Sequence, residues 1–106
     1  MKIPPEIFER ISGLPGEEFI APGLRDLERD RFETPEALLI QIARTRLTNA
    51  GLTFLSQLHP ALPKSPESLL YESLNHHDSE TAYHRYTSLK RRLDSFIHSF
   101  ETQQAP

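Results

Sequence analysis

Apolar residues recur at spacings of three and four along most of the chain, and strict alternation is rare. That period belongs to helices rather than strands. The longest instance begins near Ser79, in SETAYHRYTSLKRRLDSFIHSFE. Ala82, Tyr86, Leu89, Leu93, Phe96 and Phe100 alternate steps of four and three residues, an a/d rhythm on one helix face. A helix of about 22 residues would be about 33 Å long. It predicts either a spine for the shorter helices or a surface that pairs with a second copy.

Four further segments carry weaker signals. Pro4 and Pro5 precede EIFERIS, where Ile7 and Ile11 share a face beside Phe8. GLRDLERDR, from Gly23 to Arg31, offers Leu24 and Leu27 alone as apolar anchors and predicts a short helix that leans on its neighbours. In ETPEALLIQIARTRLTNAGL, Thr34 is suited to cap a helix and Pro35 to open it. This helix is expected to run to Gly51, with Leu39, Ala43 and Leu47 in one stripe widened by Leu38, Ile40 and Ile42. SPESLLYESLN repeats the opening with Ser65 and Pro66, and Leu69, Leu70 and Leu74 face inward. Between them, Leu52, Phe54, Leu55 and Leu58 predict a short helix or an extended packed connection, limited by Pro60 and Pro63. LPGEEF and APGLRD read as turns, without the glycine spacing of a nucleotide loop.

The expectation is therefore an all-α bundle of four to five helices, short at the N-terminus and ending in a long amphipathic helix. A length of 106 residues fits one small domain over 1–106, with 102–106 as a flexible tail. Cysteine is absent, which excludes disulfides and cysteine-based zinc modules. The N-terminus lacks the apolar stretch of a secretory signal, and no run is apolar enough for a membrane helix. A cytoplasmic protein is the reading that follows.

The densest concentration of polar chemistry is NHHDSETAYH, from Asn75 to His84. On a helix starting near Ser79, Glu80 and His84 would share a face, with His77 folding back toward them. His77, Glu80 and His84 thus form a candidate divalent-metal site. The competing reading gives Asp78 or Ser79 the cap of the last helix and leaves the histidines at helix ends. His59 and His98 carry no catalytic pattern, and nothing resembles a nucleophile elbow.

Charge adds a second candidate. The net charge is −3, but its distribution is uneven. Glu17 through Glu36 holds seven acids and three arginines, whereas Arg85, Lys90, Arg91 and Arg92 form a basic segment without an acid among them. Such a segment could contact nucleic acid, or it could pair with the acidic N-terminal half. Tyr71, Tyr83 and Tyr86 lie near the last helix junction. Tyr86 fits the core rhythm, and Tyr83 stands off it as a surface residue suited to an interface. The favoured function is a small soluble non-catalytic interaction or regulatory protein without a cofactor. It would bind a protein partner or self-associate as a homodimer through the exposed part of its C-terminal helix, around Tyr83, Arg85, Lys90, Arg91 and Arg92. Nucleic-acid binding through Arg85–Arg92 and metal binding through His77, Glu80 and His84 are the alternatives.

Overall fold

The structure, a computed structural model, describes residues 2–104. Among these the regular elements are helical: α1 (Pro5–Ile11), α2 (Glu17–Glu28), α3 (Pro35–Ile42), α4 (Arg44–Ala50), a 3₁₀ helix (Thr53–Gln57), α5 (Pro66–His77) and α6 (Ala82–Gln104). The all-α architecture with a long C-terminal helix is the expected one. Of the expected tail 102–106, residues 102–104 belong to α6, and 105–106 lie outside the described residues.

The local signals at helix ends act as their chemistry dictates. Thr34 Oγ1 accepts from the Ala37 amide at 3.2 Å, with Pro35 in the first turn of α3. Ser65 Oγ does the same for the Ser68 amide at 3.2 Å, with Pro66 opening α5. Gly51 ends α4 at φ 130°, a backbone that L side chains rarely adopt. Leu52 N then donates to Leu47 O at 2.9 Å. The Thr34 hydroxyl also donates to Asp26 Oδ2 at 2.7 Å, so one residue caps α3 and ties it to α2.

Three boundaries differ from expectation. APGLRD is not a turn but the middle of α2, which begins at Glu17 rather than Gly23. Pro22 is exposed on this helix, and so is Glu18, whose carbonyl loses its partner because proline has no N–H. Gly23 is required by packing. A Cβ there would stand 2.6 Å from the Glu36 backbone oxygen and 2.7 Å from Ile40 Cδ1, so glycine is what lets α2 and α3 approach.

The helix expected from Pro35 to Gly51 is divided at Ala43, whose φ and ψ are −100° and 17°. This division raises the number of α-helices to six among the described residues. Neither glycine nor proline marks the bend. The division falls where the neighbours change: α3 packs chiefly on α2 and α5 and also touches α6, whereas α4 packs on the 3₁₀ helix and α6.

The third difference is the start of α6, at Ala82 rather than near Ser79. Asp78 Oδ1 accepts from the Glu80 amide at 3.1 Å, so it shapes the preceding turn instead of capping the helix.

One apolar cluster joins every helix. α2 contributes Phe19, Ile20, Leu24 and Leu27, and α3 contributes Ala37, Leu38, Leu39 and Ile40. From α6, Leu93, Phe96, Ile97 and Phe100 are buried, with Phe96 and Phe100 stacked at 5.9 Å. Ile97 broadens the expected stripe because this half of α6 is covered from more than one side. No helix among the described residues is long and apolar enough to cross a membrane.

Candidate functional site

The other half of α6 is different. Ala82 is buried, but Tyr86 and Leu89 are only half-buried, and Tyr83, His84 and Arg85 are exposed. α5 runs beside it and buries just Leu70 and Leu74. Tyr71 and Tyr86 meet edge to face across the two helices, with ring centroids 5.6 Å apart and planes at 78°. The Lys90 ammonium lies 5.5 Å from the centre of the Tyr86 ring. Tyr83, Tyr86 and Lys90 succeed one another by three and four residues, so they share one flank of α6. Tyr71, at 37% exposure, and Tyr83, at 63%, are the large apolar side chains that the described residues leave open to solvent. The expected surface role of Tyr83 thus has a structural setting: an aromatic flank built by two helices, with a cation at its edge.

The basic segment does not act as one block. Arg92 pairs with Glu18 of α2, and its guanidinium lies 5.1 Å from the centre of the Phe19 ring. This is the contact between the basic helix and the acidic N-terminal half that the charge pattern allowed. Lys90 turns to Tyr86. Arg85 and Arg91 are exposed and form no ion pair among the described residues. Just beyond, Asp94 and Glu101 both hold Arg46 of α4 at 3.3 Å. The positive charge is therefore dispersed among different neighbours.

His77, Glu80 and His84 are not brought together as a ligand set. His77 is the last residue of α5, Glu80 lies in the turn, and His84 is in the first turn of α6. Because α6 starts at Ala82, Glu80 is off its face and lacks the helical register that would place it beside His84. Among the described residues no three His, Cys, Asp or Glu side chains group in a way that could hold a metal ion. All five histidines are exposed. His84 instead meets Tyr83 edge to face at 6.1 Å.

No protein-family model, curated protein or solved structure matches this chain.

One polar centre escaped the sequence reading. The Arg44 guanidinium donates from Nη1 to the Leu58 carbonyl, latching the start of α4 to the proline-bounded connection. Two clefts, of about 280 and 190 Å³, share Arg44 and Thr45 in their walls. Gln41, the buried polar side chain of the core, lines the larger one. Its Nε2 donates to Phe32 O at 2.6 Å and Ala37 O at 3.1 Å. The only signal in the sequence was a glutamine and an arginine within an otherwise apolar stretch, a pattern shared by many surface positions.

Proposed function

We propose that this chain is a small non-catalytic interaction protein that presents the tyrosine-bearing flank of α5 and α6 to a protein partner. One observation carries the reading: Tyr71 and Tyr83 are exposed on adjacent helices, on either side of the half-buried Tyr86. A tyrosine ring offers apolar area and a hydroxyl at low conformational cost, which suits a protein interface. Glu67, Lys90 and Asp94 line a shared surface cleft beside it, so the polar rim carries both signs. A nucleic-acid surface would call for a continuous positive field, and here Arg92 and Lys90 are engaged within the chain.

The test places a photo-crosslinking benzoylphenylalanine at Tyr83 or, as a control, at Ser95, another exposed position of α6. In the cells that make the protein, a discrete protein adduct is expected from position 83 and not from 95. No adduct at 83, or the same adducts at both positions, overturns the reading.

A further inference from the structure

We propose that the paired clefts around Arg44 bind a small organic oxyanion, a carboxylate or phosphate ester with a short apolar body. This site is independent of the tyrosine flank. It rests first on the charge of Arg44. The side chain is half-buried, yet no carboxylate among the described residues pairs with it; its partner is the Leu58 carbonyl, which takes one of five guanidinium N–H groups. A partly desolvated cation without a counter-ion favours an incoming anion. This chain carries 15 acids, and none of them lines either cleft.

The second support is the chemistry of the walls. Thr45, Thr48, Asn49 and Ser56 surround the smaller cleft with hydroxyl and amide groups, all able to donate to an oxyanion. Ile42, Pro60, Leu62 and Pro66 wall the larger cleft with apolar surface. Hydrogen-bond donors thus predominate in the smaller cleft at Arg44, and apolar side chains in the larger. Acids line the neighbouring clefts instead: Asp30 and Glu33 past Leu62, and Glu67 and Asp94 past Ile42.

The third support is unfinished hydrogen bonding. The two buried side-chain atoms without a partner among the described residues are Gln41 Oε1 and Thr48 Oγ1. Gln41 lines the larger cleft and Thr48 the smaller. Buried polar groups are paired in the great majority of proteins; of these two, the Thr48 hydroxyl has a proton to donate to an oxyanion at the smaller cleft, whereas Gln41 Oε1 only accepts and offers an anion nothing.

The experiment is a titration followed by amide and arginine side-chain NMR. The probes are inorganic phosphate, benzoate and phenyl phosphate, with ionic strength held constant by chloride so that general screening does not register. Saturable shifts are expected at residues 41–48 and at the Arg44 side chain. Benzoate and phenyl phosphate should bind more tightly than inorganic phosphate because they also fill the apolar cleft; their ranking distinguishes a carboxylate from a phosphate ligand. Arg44→Gln should abolish saturation. Because Arg44 also latches Leu58, a second variant leaves that bond intact: Thr45→Glu, at an exposed position, brings a carboxylate to the shared wall. It should weaken binding about tenfold or more with unchanged melting temperature. No saturable shift with any probe, shifts equal in wild type and Thr45→Glu, or shifts confined to Arg85–Arg92 would overturn the proposal.

Discussion

Phe96 is fully buried near one end of α6, packed against Phe100, whereas Tyr83 near the other end is 63% exposed. Tyr83 stands off the apolar repeat to which Phe96 belongs, but Tyr86 and Leu89 lie on that repeat in the same half as Tyr83 and are only half-buried, so the repeat alone does not decide what becomes core. The neighbours decide. The Phe96 half meets the N-terminal part of the chain: Gly16, at φ 94°, would place a Cβ 3.1 Å from Phe96 Cβ, and the Arg10 guanidinium lies 5.2 Å from the centre of the Phe100 ring. The Tyr83 half has α5 for company, and α5 is itself largely exposed beyond Leu70 and Leu74. Two helices can bury the seam between them but not their flanks. A chain of this size therefore seals one end of its longest helix and leaves the other as surface.

This comparison breaks most sharply under truncation. Phe96→Ala should cost about 3–5 kcal/mol, from lost burial and the cavity left behind. Tyr83→Ala should change stability by no more than about 0.5 kcal/mol. Urea unfolding of both variants checks the contrast. Comparable losses would mean that Tyr83 is covered in solution and that the two ends of α6 are equivalent.

The next effect concerns how tightly the sealed region is closed. Gly23→Ala would ordinarily strengthen a helix by about 1 kcal/mol. Here the added methyl meets the Glu36 backbone oxygen, which cannot rotate away as a side chain can. The clash should prevail, with a net loss of about 1–3 kcal/mol by the same denaturant measurement. A gain in stability would show that α2 and α3 can separate without cost, and that their close approach is not part of what closes the core.

What was legible in the sequence divides along related lines. Thr34–Pro35, Ser65–Pro66 and Gly51 were readable because a cap is a local matter of one hydroxyl, one ring or one backbone angle. The a/d rhythm of α6 was readable because it is long. Pro22 and Gly23 misled because their usual meaning is a turn; the solvent exposure of one and the tight packing of the other are properties of the assembled protein. The bend at Ala43 has no local mark. Uneven charge pointed to contact between the basic segment and the acidic half, but not to Arg92 and Glu18 in particular. Of the candidate site residues, Tyr83 was identifiable as lying off the core stripe. His77, Glu80 and His84 depended on a helix start that moved to Ala82. Arg44 had only the unspecific mark of a polar residue in an apolar stretch, since a missing counter-ion is visible only once its neighbours are placed.

The smallest expected effect tests what joins the two regions. Arg92 lies between the open half of α6 and α2, with Glu18 as its ion-pair partner and the Phe19 ring beneath it. Arg92 is 48% exposed and Glu18 60%, so water and salt reach the pair. A double-mutant cycle of Glu18→Gln and Arg92→Gln should give a coupling of about 0.2–1 kcal/mol at low ionic strength. The coupling should shrink toward zero in about 1 M salt, where the screening length falls to about 3 Å. Glu18→Gln leaves Phe19 in place, so the cycle separates charge from stacking. A coupling that persists in salt would identify a directional hydrogen bond between the two side chains, and the connection between the sealed and open regions would then rest on geometry rather than on charge.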